Sequence, residues 1–158
     1  MLIRKIITDD NAAMASIIRN SLLEFNAAKP GTVYFDETTD HLSNVFTEKR
    51  SAYFVVEIDN KIAGGSGFFP TKGLPKNTCE LVKLYVSKEY RHNGYGQTLL
   101  NKCMEEAKKN GYEKMYLESM PELTNAIGMY EKNGFKKIQG PLGNSGHTGC
   151  DVWMIKQL

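Results

Sequence analysis

Apolar positions recur along the chain at two periods, and the switches between them divide it into strands and helices. Leu2 to Ile7 reads as a short strand. Thr8, Asp9 and Asp10 then offer oxygen caps to a helix with Ile17, Ile18, Leu22 and Phe25 on its inner side. "KPGTVYF" breaks that helix, and Leu42, Val45 and Phe46 predict a weaker one from about Thr38 to Lys49. "AYFVVEI" (Ala52 to Ile58) and "KIAGGSGFF" (Lys61 to Phe69) flank Asp59 and Asn60, which tolerate the positive φ of a two-residue hairpin turn. After the loop "PTKGLPKN", Thr78 to Val86 alternates as a third antiparallel strand. Leu81, Lys83 and Tyr85 fall on one side and Val82, Leu84 and Val86 on the other, so Lys83 implies a side that is not uniformly buried.

Downstream, Leu99, Leu100, Cys103, Met104 and Ala107 hold helical spacing from Gly94 to Asn110, where "NG" ends the run. "YEKMYLES" is then a strand. "PELTNAIGMYEKNGF" predicts a helix opened by Pro121 and closed by Gly134, "FKKI" a strand, and "DVWMIKQL" a final strand after a glycine-rich loop. No internal repeat or interdomain linker interrupts this order, so residues 1–158 are expected to form one domain.

Composition narrows the class without naming it. With 158 residues, one core is sustainable, burying roughly 70% of the surface of the unfolded chain. The 41% apolar and 24% charged residues are ordinary for a globular domain. Lys and Arg number 20 against 18 Asp and Glu, too even a balance for a field that would hold nucleic acid or an anionic membrane, and neither is expected as a partner. Cys79, Cys103 and Cys150 are odd in number, with no Cys-x-x-Cys pair, so no metal is expected. The start lacks a signal-peptide pattern and no run of 18 apolar residues occurs, which fits a reducing, cytoplasmic setting.

The chemistry concentrates in "SKEYRHNGYG", between the strand ending at Val86 and the helix starting near Gly94. A helix start leaves backbone N–H groups without intrahelical partners and gathers partial positive charge, a natural seat for phosphate. Gly94 and Gly96 would let a pyrophosphate approach the main chain, and Arg91 could add a charged contact. The third glycine of the dinucleotide fingerprint is missing, and there is no G-x-x-x-x-G-K-[ST] loop. For "GxG" alone, a helix start that holds nothing is an equal reading.

"LYVSKEYRHNGYGQTLL" resembles the acetyl-CoA pyrophosphate loop of the GNAT superfamily of CoA-dependent N-acetyltransferases, [Q/R]-x-x-G-x-[G/A] after the fourth strand, with Arg91, Gly94 and Gly96 in place. "NAIGMYEKNGFKKI" resembles that superfamily's next helix and strand, with Asn125, Tyr130, Gly134 and Phe135 in its N-x-x-x-x-Y-x-x-x-G-F arrangement. The resemblance implies an α/β fold: a mixed, mostly antiparallel sheet of six or seven strands that splays between strands 4 and 5, flanked by about four helices. Leu84, Tyr85 and Val86 would pair with pantetheine. The amides of His92, Asn93, Gly94, Tyr95, Gly96 and Gln97 would cradle the pyrophosphate of acetyl-CoA, the implied co-substrate. Asn125 would contact the CoA arm, although an Asn there can also simply cap the helix.

The resemblance also implies catalytic roles. An amine with pKa about 10.4 lies some three units from neutrality at pH 7, roughly 4 kcal/mol, so a base is useful. Glu80 stands near the superfamily's usual glutamate base, the alternative being a carboxylate paired with a neighbouring Lys. Tyr130 matches the tyrosine that serves the departing CoA sulfur, and without the motif it would read as core. The N–H of Val86 is a candidate for the oxyanion. Glu118 and Ser119 could face the acceptor or be solvated strand-end residues. In "GPLGNSGHTGCDVWM", four glycines predict a mobile loop that roofs the acceptor site through His147, or a hairpin with a surface histidine. Cys150 lacks the companions of a nucleophile, and Cys79 and Cys103 read as packing residues.

The expected activity is acetyl transfer to an amine by direct attack in a ternary complex. A small-molecule acceptor is preferred to a peptide or protein. The rival reading is a catalytically silent acyl-CoA-binding module. A homodimer through the last strands is a further option.

Overall fold

The computed structural model describes residues 1–158. In chain order the elements are β1 (Leu2–Lys5), α1 (Asn11–Glu24), α2 (Leu42–Val45), β2 (Ala52–Ile58), β3 (Lys61–Phe69), β4 (Thr78–Val86), α3 (Tyr95–Lys109), β5 (Lys114–Ser119), α4 (Thr124–Lys132), β6 (Lys136–Ile138) and β7 (Val152–Gln157). The strands form one seven-stranded sheet in the order β1-β2-β3-β4-β5-β7-β6. All pairs are antiparallel except β4 with β5. A parallel neighbour requires a crossover connection, and α3 supplies it.

Both faces of the sheet are covered, which explains why β2 is buried from Ala52 to Val56 rather than on alternate residues. Tyr53 and Val55 pack with Met14, Ile18 and Leu22 of α1, while Phe54 and Val56 share a core with Leu99, Leu100, Cys103 and Ala107 of α3. Burying a residue such as Ile18 or Leu22 contributes about 1.5–3 kcal/mol. The hairpin forms as its turn residues predict, with Asp59 at φ 49° and Asn60 at φ 62°.

Three expectations change. The second helix does not reach Lys49: a 3₁₀ turn over Glu37–His41 leads into α2, which stops at Val45. The helix after Pro121 begins only at Thr124. In β4 the simple alternation fails, because Gly67 pairs with Val82 but Gly65 pairs with Tyr85, so Lys83 and Leu84 oppose Ser66 alone. This is a β-bulge, with Lys83 at φ 50°. It moves Leu84 and Val86 to the same core as Leu81, leaves Tyr85 on the α1 side, and buries Lys83, whose side chain is 7% exposed and pairs with Asp36 at 3.2 Å.

The glycines of β3 make room for the bulge. A Cβ on Gly65 would lie 2.6 Å from Tyr53 Cε1, and one on Gly67 2.7 Å from Tyr53 Cδ2. The Tyr53 ring therefore lies flat across β3, and its hydroxyl donates to the Lys83 carbonyl at 2.8 Å.

Candidate active site

The parallel ladder between β4 and β5 covers only Thr78–Leu81 and Lys114–Leu117. Beyond it the strands part, and the splay implied by the resemblance is present. Ser87 N–H donates to Ala63 O, so strand alternation turns the polar groups of Tyr85 toward β3 and those of Leu84 and Val86 toward the gap. A cavity of about 290 Å³ fills the gap, walled by β4, the start of α3, α4 and the Ser21–Phe25 side of α1.

At its floor, Gly94 caps α3 at φ 79°, a left-handed conformation natural to glycine, and the first intrahelical bond is Thr98 N–H to Gly94 O. None of the six amides from His92 to Gln97 has an acceptor within the protein. A Cβ on Gly94 would meet nothing within 4 Å, so the cradle is open. Six free donors on a positive helix end fit a pyrophosphate.

The predicted groove residues distribute unevenly. Leu84, Tyr85, Val86, Arg91, His92, Gly94, Tyr95, Gly96, Gln97 and Asn125 all line the cavity. Asn93 does not: its side-chain amide donates to the carbonyls of Tyr90 and Arg91 and so holds the loop's shape. The Arg91 guanidinium is engaged by Val86 O at 3.0 Å, Glu24 at 2.9 Å and Ser21 at 3.1 Å, and stacks over Phe25. It braces α1 against the groove. Sequence reasoning missed Ser21 and Glu24, whose role depends on α1 folding over a loop some seventy residues away.

A second cavity, about 50 Å³, adjoins the first, and Tyr85 and Leu123 line both. Glu80, the adjacent Glu118 and Ser119, and His147, from three distant parts of the chain, all line it. Glu80 is 3% exposed and accepts a hydrogen bond from Thr71 Oγ1, while its other oxygen has no partner. Burial, with the nearby Glu118 carboxylate adding to it, raises its pKa to about 7, against the pull of Thr71, His147 and Lys83. Glu118 accepts from Tyr116 Oη at 2.8 Å and from Ser145 Oγ. His147 Nε2 lies 3.0 Å from Asp36 Oδ2. Burial pushes Asp36 upward, but His147 and Lys83 hold it well below the usual carboxylate range. Ser119 is buried on β5 opposite Val152.

The glycine-rich loop, expected to be mobile, is tied down by hydrogen bonds to neighbouring segments and brings His147 and Cys150 to the second cavity. Asn144 N–H bonds Lys72 O, Gly149 N–H bonds Gly31 O, and Leu142 N–H bonds Tyr116 Oη. Cys150 borders the second cavity, where burial pushes its thiol up to about 12, the wrong direction for a nucleophile. Cys79 and Cys103 are buried. Tyr130 lines neither cavity. It is 7% exposed, packs edge-on to Phe135, and makes no hydrogen bond through its hydroxyl, which burial keeps protonated. Its neighbours Ala126 and Met129 do line the groove.

A splayed mixed sheet with a donor-rich loop beside the gap defines a class of acyl-transfer fold, and comparison with known proteins agrees. A sequence model of the Acetyltransferase (GNAT) family matches residues 16–135, and the chain belongs to this family of acyltransferases. It is 35% identical over 158 residues to the uncharacterized N-acetyltransferase YjgM of Escherichia coli (strain K12), covering 99% of this chain and 95% of that protein. It is 29% identical to human N-acetyltransferase 8, covering 80% of this chain and 59% of that longer protein. A GNAT-family acetyltransferase structure from Staphylococcus aureus Mu50 superposes with TM-score 0.88 at 19% identity, covering 99% and 98% of the two chains. The PaiA N-acetyltransferase of Thermoplasma acidophilum, solved in complex with coenzyme A, gives 0.77 at 23% identity with the same coverages. No helix is long and apolar enough to cross a membrane.

Proposed function

We propose that the chain transfers an acetyl group from acetyl-CoA to the amine of a small-molecule acceptor, by direct attack in a ternary complex. The observation that carries this reading is the adjacency of the two cavities, which share Tyr85 and Leu123 and so set a groove suited to a thioester cofactor beside the pocket lined by the buried carboxylate of Glu80. The free amides from His92 to Gln97 bind the pyrophosphate. The gap-facing groups of Leu84 and Val86 pair with the pantetheine arm, and Asn125 contacts that arm from α4.

Glu80 then acts as base. With a pKa of about 7 it is half ionised at neutral pH and takes one proton from the ammonium as the amine nitrogen becomes a nucleophile. Nitrogen attacks the thioester carbon, and the Val86 N–H receives the developing oxyanion. When the C–S bond breaks, the electron pair leaves on sulfur, and the second proton of the attacking nitrogen passes to the thiolate; Tyr130, whose hydroxyl burial keeps protonated, would serve that sulfur as a hydrogen-bond donor and not as an acid. Glu118, Ser119 and His147 form the acceptor's surroundings. Two carboxylates, Glu80 and Glu118, line that cavity, and its one ammonium, Lys83, is already paired with Asp36, a balance that favours a cationic acceptor. The second cavity under the 140–149 roof, at about 50 Å³, has room for the amine end of an acceptor only.

The test is calorimetric titration of the native chain and Gly94→Glu with acetyl-CoA, followed by thiol release across an amine panel. Gly94→Glu brings a negative side chain into the cradle and is expected to abolish binding while the protein stays folded. Binding without thiol release from any amine would replace this reading with a silent acyl-CoA-binding module. No binding to the native chain would refute both.

A further inference from the structure

Glu80, Glu118 and His147 come from β4, β5 and the glycine-rich roof, yet one ligand atom from each lies within 4.8 Å of the others. Two carboxylates and an imidazole at this range form a donor set for a borderline cation. The side chains carry the surrounding interactions such a site uses. His147 Nε2 faces Asp36 at 3.0 Å, and in the tautomer that donates to this carboxylate the lone pair lies on Nδ1. Glu118 is oriented by Tyr116 and Ser145. Glu80, 3% exposed, has one oxygen anchored by Thr71 and the other unpartnered while lining the cavity. That second oxygen is open to the cavity, where a cationic or donor ligand can reach it.

The geometry points to a zinc-class divalent cation site made by Glu80, Glu118 and His147, with Asp36 holding the imidazole, at the floor of the acceptor pocket. Ligand atoms around zinc stand roughly 3.3 Å apart, so from separations of up to 4.8 Å the three side chains must close by at most about 1.5 Å, a movement within reach of side-chain rotation. A cavity of about 50 Å³ holds one ion with a water in its fourth position. The imidazole selects zinc or cobalt over magnesium, which prefers an all-oxygen octahedron. No pair of these ligands has metal-motif spacing in the chain, which is why the sequence gives no sign of them. Occupancy by the ion takes the base out of use and excludes the amine. This inhibition, though not the binding itself, rests on the acceptor reading above.

The experiment titrates the metal-free full chain with Zn²⁺ by calorimetry and with Co²⁺ by visible absorption, then measures acetyl transfer with and without Zn²⁺. One saturating Zn²⁺ per chain is expected, with a Co²⁺ band characteristic of four or five ligands. Binding should weaken at least tenfold in Glu118→Gln and in His147→Gln, two variants that guard against misfolding of either. Cys150→Ser should bind as the native chain does. Inhibition should be competitive with the amine and not with acetyl-CoA. Absence of saturable Zn²⁺ binding, equal binding by Mg²⁺, retention of affinity in both ligand variants, or loss in Cys150→Ser would overturn the site. Zn²⁺ binding by a chain that transfers no acetyl group would leave the site standing and remove only the acceptor reading, whereas active chain without Zn²⁺ binding would do the reverse.

Discussion

Replacing Glu80 by Gln removes a charge while keeping the shape of the side chain, and two signatures should move in opposite directions. The first is catalytic. Without the base, attack depends on the small fraction of amine already neutral, and loss of general-base catalysis costs on the order of 10²–10⁴ in rate. In the native enzyme kcat/KM for the amine should fall below pH about 7 as Glu80 takes up a proton. In Glu80→Gln that limb should vanish, leaving only the titration of the amine itself. Acetyl-CoA affinity should not change, because Glu80 does not line the groove.

The second signature is stability. The folded protein raises the carboxyl from 4.5 to about 7, so between those values the native state binds more protons than the unfolded chain. Stability conferred by the protonated form is complete below pH 4.5 and is lost as pH rises through 7, a loss of roughly 3 kcal/mol. Gln cannot ionise and escapes it. Denaturant melts at pH 5 and pH 8 should therefore show near-equal stabilities at the lower pH and a more stable variant at the higher one. A variant with native activity and an unaltered pH profile would refute the catalytic role, and one destabilised equally at both pH values would refute the buried-charge argument.

Arg91→Ala should raise the KM for acetyl-CoA about tenfold by freeing α1 from the groove, and Arg91→Lys should not restore it, since an ammonium cannot reach Val86 O, Glu24 and Ser21 together; steady-state kinetics of the two variants decide this. Gly64→Ala places a Cβ 2.5 Å from Tyr85 O and 3.0 Å from Val86 Cα, so β4 must shift at the splay; thermal melting should show a loss of roughly 1–3 kcal/mol, and calorimetry weaker acetyl-CoA binding. Asp36→Asn strands the ammonium of Lys83 in the interior and should destabilise by roughly 2 kcal/mol at neutral pH. Because the folded Asp36 lies below its ordinary 3.8, the native pairing is present above that pH and lost on further acidification, so native and variant stabilities should converge in acid melts.

Legibility in the chain follows the range of the interactions involved. The Asp59-Asn60 turn, the α3 stripe and the Gly94 helix start each depend on neighbours within a few residues, so their residue types announce them. Element order, family and the open run of amides at the helix start are accordingly readable from the residues alone. The bulge at Lys83 is not, since it requires the flat Tyr53 ring and the Gly65–Gly67 lane of another strand, and it reverses the face of every residue after it. Ion pairing is hidden in the same way. Arg91 reads as a free cation in the linear chain, and only α1, carrying Ser21 and Glu24, closes over it.

The linear pattern by itself determined a strand-helix order, a donor-rich glycine corner and a set of candidate polar residues, because periodicity and turn chemistry act locally. Only the tertiary structure decided which of those residues meet. The sheet order β4-β5-β7 brings Glu80 and Glu118 alongside the roof that carries His147, and Asp36 reaches that histidine across 111 residues of chain. Contacts of that separation are set by how strands are ordered and how loops close over them, and one residue's neighbours along the chain carry no record of it.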